Sequence, residues 1–208
     1  MKDFLENAFT DNYSYIDEEK TVYNLHCENI GKLNVVNGQI IACDPFLFNN
    51  DKSFDTLFPI GQFSVELAIA NIKGDERVGF SRIKFSEKIP IRWTMAVTTD
   101  QDASNLTEEE IFGYGVDSGT GCFMDSSGAK AYSAYLKLKE NNYNIVIAEM
   151  EITYKDTRSW LLWNKDSFNV AMFSTGWGDG LYATYIGYDN EHSICRLVTD
   201  FGLLEWQA

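Results

Sequence analysis

A chain of 208 residues is long enough for one ordinary domain and too short for two unless both are small. With 45% apolar residues, 14% aromatic residues and three prolines it can bury a sizeable core, which excludes a disordered chain. Its 17 basic against 31 acidic side chains leave a net charge of -14, which repels phosphate backbones and anionic lipid, so neither nucleic acid nor a membrane surface is expected as a partner.

The first residues, Met1 to Glu6, carry acids and are followed by no apolar run, unlike a secretory leader, and no segment reaches the roughly 18 apolar residues that span a bilayer. The reading is a cytoplasmic protein folded as a single globular domain over 1–208, with 1–30 as an N-terminal arm or packed extension. Cys27, Cys43, Cys122 and Cys195 are widely scattered and His26 lies far from His192, which argues against a zinc finger and for reduced, buried cysteines.

From Leu33 the pattern alternates. Leu33 and Val35, then Asn37-Gly38, then Ile40 and Ala42 predict a hairpin with a type I′ turn. Phe63, Val65, Leu67 and Ile69 alternate with Ser64, Glu66 and Ala68, predicting a strand with one buried and one wetter face. Val78 and Phe80 are out of phase with Ile83 and Phe85, which places a β-bulge near Ser81. Ile91, Trp93, Met95 and Val97 predict another strand, with Trp93 in the core.

Asn105 to Glu110 reads as the start of a short helix over 106–112, with acids in its first turn. Ala131, Ala134, Tyr135 and Leu138 predict a helix over 129–140, closed by Asn141-Asn142. Residues 143–155 alternate through Val146, Ala148, Met150 and Ile152 and are read as a strand. Trp160 to Trp163 form an apolar cluster. Three strands, 168–173, 182–188 and 194–201, end the chain. The fold class is therefore mainly β (α+β): two packed antiparallel sheets or one strongly curled sheet, with one or two short helices at the edge.

Two glycine-framed loops concentrate polar groups, Gly113 to Asp125 and Gly176 to Gly180. Glycine permits close backbone approach, while Asp117 and Asp125 offer oxygen ligands or acid–base groups. The same residues also make Asx-type turns, so a structural role stands beside the functional one. Asp117-Ser118-Gly119 resembles a serine-protease nucleophile segment without the rest of that pattern, and Asp200-Phe201-Gly202 matches a kinase triplet by chance. Trp177, between two glycines, is either a lid on the core or an exposed binding anchor.

Gly-Val-Asp-Ser-Gly-Thr-Gly at 115–121, Gly-Trp-Gly-Asp-Gly at 176–180 and Thr-Asp-Phe-Gly at 199–202, with Ile41 to Pro45 and Asp75 to Val78, follow one another in this order. Over about residues 38–202 the chain resembles a bacterial domain-of-unknown-function family, number 4241. The resemblance implies a shared fold and no particular reaction. Its motif positions fall on Asp44, Glu76, Arg77, Asp117, Ser118, Gly119, Asp125, Trp177, Asp179 and Asp200.

The expected function is a non-enzymatic acidic binding protein for a basic protein partner, in its specific form an immunity protein neutralising a basic toxin, with no cofactor. Binding candidates are Asp44, Glu76, Asp117, Asp125, Trp177 and Asp179. The alternative is a hydrolase that uses carboxylates or a divalent cation, with Asp117, Ser118, Asp125 and Asp179 as catalytic candidates. A third reading makes Trp177 and nearby tyrosines a stacking platform for a carbohydrate or other small ligand. The Gly115 to Asp125 loop and the Gly176 to Gly180 turn are expected to meet in space, with Asp44 and Glu76 nearby, because motifs spread over separate segments are most simply explained by one shared location.

Overall fold

Runs of alternating apolar residues, punctuated by Gly- and Asn-containing turns, build the antiparallel strands that dominate the fold. The computed structural model describes residues 4–48, 52–107, 110–138 and 142–206. The first half of the chain forms α1 (Phe4–Asn7), β1 (Tyr13–Ile16), β2 (Val22–Val35), β3 (Ile40–Cys43), β4 (Gly61–Ile72), β5 (Asp75–Lys84) and β6 (Arg92–Met95). Then come β7 (Tyr114–Val116), β8 (Thr120–Asp125), α2 (Ser126–Leu138) and α3 (Asn142–Glu151). The last strands are β9 (Trp160–Lys165), β10 (Phe168–Ser174), β11 (Gly180–Tyr182), β12 (Thr184–Tyr188) and β13 (Ile194–Asp200). They make a seven-stranded sheet in the order β1-β2-β4-β5-β13-β12-β6, a four-stranded sheet β3-β8-β10-β9 and a two-stranded ribbon β11-β7.

The two large sheets face each other across one core, in which Leu33, Leu67, Ile69 and Leu197 meet Ile40, Phe123 and Phe173. The outer face of the four-stranded sheet is covered by α2 and α3, whose Ala129, Tyr132, Val146 and Met150 pack on Ile41, Met124 and Met172. The outer face of the seven-stranded sheet is covered by both terminal segments, which bring Leu5, Phe9, Leu203, Leu204 and Trp206 onto Leu25, Ala68, Phe80 and Val198. The expected wetter face of β4 is therefore dry, with Glu66 and Ala68 buried beneath the termini.

Long strands serve both faces because bulges shift their phase. In β2 the pairing slips between Asn29 and Gly31, so Leu25 faces the terminal segments while Leu33, also odd-numbered, faces the central core. The phase change in β5 lies at Gly79, where the register slips between Ala68 and Ile69 of the partner strand, two residues before the expected position at Ser81.

The Asn37-Gly38 segment is a corner between sheets and not a hairpin turn, since β2 pairs with β1 and β4 whereas β3 pairs with β8. Gly38 has φ +80°, and a Cβ there would stand 2.7 Å from the Phe58 carbonyl oxygen. Residues 142–151 are helical, which corrects the strand reading. The buried positions are Asn142, Val146 and Met150, four apart, so the period-2 alternation with acids was coincident with a helical stripe. The helix expected over 106–112 is not formed in its described part. A 3₁₀ turn at Ala103–Asn105 precedes it, Glu110 accepts the Thr107 amide at 2.9 Å to close a turn, and 108–109 lie outside the described residues. The helix expected over 129–140 begins three residues earlier, at Ser126, and its last two positions lie outside the described residues.

Trp93 is half-buried against the layer formed by the termini. The N-terminal segment is anchored by charge as well as by packing. Arg196, almost fully buried, binds Glu6 through Nε at 3.0 Å and Nη2 at 2.8 Å, while Arg82 joins Glu6 at 3.2 Å and Glu66 at 2.7 Å. Among the described residues no helix is long and apolar enough to cross a membrane.

Leu67 is fully buried at the centre of the shared core. Leu67→Ala is expected to lower the unfolding free energy by about 2–5 kcal/mol in urea titrations, and a loss under about half a kcal/mol would contradict this placement.

Candidate functional site

The two glycine loops meet. Thr175 donates its amide to the Gly119 carbonyl at 3.1 Å, Gly119 donates its own to Asp179 Oδ1 at 3.1 Å, and β7 pairs with β11 from Tyr114↔Tyr182 to Val116↔Gly180. Gly176 makes the sharp entry to this turn at φ +36°, and a Cβ there would stand 2.7 Å from the Phe201 carbonyl oxygen.

Asp44 holds the first loop from below. Its Oδ1 accepts the Phe46 amide at 2.9 Å, the Leu47 amide at 3.3 Å and the Ser118 hydroxyl at 2.8 Å. Its Oδ2 accepts the Asp117 amide at 3.0 Å and the Ser118 amide at 2.8 Å. With Asp44 buried, four amides and a hydroxyl converge on one carboxylate, so its lone pairs are engaged in fixing backbone. Asp125 is used in the same way one strand further on. It is fully buried, its Oδ2 accepts the Val36 and Asn37 amides at the sheet-to-sheet corner, and its Oδ1 caps α2 through the Ser127 amide at 2.9 Å.

Asp117, Asp179 and Trp177 face outward, whereas Glu76 is buried. Asp117 and Asp179 are exposed and adjoin the last pair of the ribbon, Val116↔Gly180, one on each strand's turn side. Trp177 is 60% exposed. The Arg77 guanidinium lies over its ring, 4.3 Å from the centroid, and is itself fixed by Asp75 at 2.7 Å and the Gly176 carbonyl at 3.2 Å. Glu76 belongs to a neighbouring cluster, bonded to Lys155 at 2.6 Å and to Arg158 at 2.9 Å. Burial raises the Glu76 pKa, but Lys155 and Arg158 outweigh it and hold the carboxyl below its ordinary value.

Asp200 sits at the end of β13, where its oxygens accept the Gly202 amide and the Trp206 indole N–H, each at 2.8 Å. Burial pushes its pKa up to about 6 against the pull of those two donors.

Two concavities border these loops. One of about 220 Å³ is lined by Phe46, Ser118, Thr120, Tyr143, Glu151 and Ser159. The other, of about 410 Å³, runs past Ile111, Leu181, Tyr185, Asp200 and Trp206. Leu181 is 55% exposed, and neither it nor Ile111 stood out in the sequence. The available signal was a lone leucine in an otherwise glycine-rich and polar turn. Among the described residues no group of three or more His, Cys, Asp or Glu side chains is placed to hold a metal ion.

A two-sheet β fold covered by helices on one side and by its own termini on the other, with two glycine loops clasped by buried aspartates, defines the class. The chain belongs to the family described as protein of unknown function DUF4241, whose model matches residues 33–199. No match was found to a curated protein or to a solved structure.

Asp44→Asn replaces an acceptor oxygen by a donor among converging amides, and is expected to cost about 2–4 kcal/mol of stability. Asp117→Asn, on an exposed side chain, is expected to stay within about half a kcal/mol. Urea unfolding of both variants checks the contrast.

Asp200 gives a pH dependence of definite sign. Its folded pKa lies above the unfolded 3.8, so the folded state retains a proton that the unfolded chain releases. The stabilisation this brings is complete below 3.8 and is lost as pH rises to and through about 6. Across that window the wild type is expected to lose stability relative to Asp200→Asn, as measured by thermal melts at a series of pH values.

Proposed function

We propose that the protein is a non-enzymatic acidic binding protein whose partner is a basic protein. The observation that carries this reading is the division of labour among the loop carboxylates in a chain of net charge -14. Asp44 and Asp125 are buried and engaged with amide donors, whereas Asp117 and Asp179 stand exposed near an exposed tryptophan, Asp179 with one oxygen on the Gly119 amide and its carboxylate still open to solvent. Buried acids that fix backbone, with surface acids left over, suit recognition by charge better than proton transfer. Electrostatic attraction would raise the rate of capture and disfavour acidic competitors.

The specific form of this reading is an immunity protein that neutralises a basic toxin. It is tested by expressing the captured partner alone and together with this protein, with growth arrest and its relief as the readout. The hydrolase alternative draws on the Ser118–Asp44 hydrogen bond beside the smaller cavity. The carboxylate that accepts the Ser118 hydroxyl also holds four backbone amides, an arrangement suited to fixing the turn.

Capture from the native cell on the immobilised protein is expected to retain a basic protein at about 50 mM salt and to release it by about 500 mM, because screening shortens the reach of surface charge. An acidic partner, or a complex indifferent to salt, would overturn the electrostatic reading.

A further inference from the structure

The β7–β11 ribbon is buried on one face and open on the other. Val116 and Tyr182 point into the central core, while Gly115 and Leu181, paired in register, lie on the exposed side. Leu181 and Ile111 share the groove of about 410 Å³ that ends at Trp206. Four residues before Leu181, Trp177 is held by Arg77 on one face of its ring and remains 60% exposed. Asp117 and Asp179 lie between these apolar positions, at the open end of the ribbon.

Two features make this more than scattered surface residues. Asp117 and Asp179 are exposed acids on adjoining turns, Asp179 with one oxygen held by the Gly119 amide, so their combined charge draws an arriving cation to that end of the ribbon. The Trp177 indole is also pre-oriented by the guanidinium fixed to Asp75 and the Gly176 carbonyl, so little side-chain freedom is left to lose on binding.

We infer that the exposed face of this ribbon, Trp177, Asp117, Asp179, Leu181 and Ile111, is the docking surface for the basic protein partner. The inference rests on the binding reading above and locates it. The partner would place a lysine or arginine between Asp117 and Asp179, and an apolar side chain in the groove bounded by Leu181 and Ile111. Trp177 is the anchor, since tryptophan is enriched among the few residues that carry most of an interface's binding energy.

The test places a photo-crosslinking benzophenone residue at Leu181, and separately at Ile60, which is 69% exposed and lies just before β4, at the other end of that strand from the Asp75–Arg77 segment. After irradiation in the native cell the attached protein is identified and purified. Its affinity is then measured for the wild type, Trp177→Ala, Asp117→Lys and Ile60→Ala, with melting temperatures to confirm folding.

The expected result is a basic protein attached through position 181 and not 60. Its affinity is expected to fall at least about tenfold with Trp177→Ala and with Asp117→Lys, and to change less than about twofold with Ile60→Ala. A basic partner whose salt-sensitive binding ignores Trp177→Ala and Asp117→Lys overturns this surface and leaves the acidic-binding reading standing. Attachment of a second copy of this chain, or of an acidic protein, at position 181 overturns the surface assignment. No attachment at either position, together with no basic protein on the immobilised chain, overturns both. Should Trp177→Ala fail to fold, Asp117→Lys decides alone.

Discussion

The Asp44 carboxylate is the constraint on which the arrangement of the loops depends. It leaves the end of β3 at the edge of the four-stranded sheet and takes up the Asp117 and Ser118 amides, so the turn between β7 and β8 cannot drift away from that sheet. Fixing the turn fixes Gly119, whose carbonyl and amide hold Thr175 and Asp179, and so positions β7 against β11. A hydrophobic contact could supply comparable free energy but not this selection of register. Charge-assisted bonds have direction, and several of them converging on two oxygens admit few backbone geometries.

Charge is used in the same manner on the far side of the molecule. The Glu6–Arg196–Arg82–Glu66 network, partly buried, ties a four-residue helix to the middle of a sheet, where so short an element could not hold itself by propensity. Around it Phe4 stacks on Trp206, with ring centroids 5.5 Å apart, so the first and last described segments close over the same apolar face. A sheet with both faces covered can carry apolar residues at successive positions. That is why β4 is buried without interruption from Val65 to Ala70.

These arrangements set what could be read from the residues in order. Alternation identified β4, β5 and β6, and Val78 against Ile83 disclosed a bulge to within two residues, while the closing strands were read between Gly- and Asn-rich turns, the one expected over 182–188 being broken at Ala183 between β11 and β12. Pairing partners were not legible. Asn37-Gly38 has the composition of a hairpin turn, but Asp125, distant in sequence, captures the Val36 and Asn37 amides and sends the chain to the other sheet. The segment around Val146 carried both periods at once, and only the apolar face beneath it, supplied by Met124, Met172 and Trp163, selects the helix. For the candidate site, glycine spacing marked the two loops, and the aspartates among them were visible. Whether each carboxylate turns inward to amides or outward to solvent depends on neighbours from separate strands. Asp44 and Asp117 therefore looked alike in sequence and have opposite surroundings.

The groove beside Leu181 has one wall that the two sheets do not provide. Leu204, Glu205 and Trp206 line it, and Trp206 is tethered to Asp200 through its indole N–H. A chain cut before Leu203 would keep every strand of both sheets yet present an open shelf in place of a groove. Leu203, Leu204 and Trp206 are also buried over the outer face of the seven-stranded sheet, so one short segment both shapes the groove and seals that face.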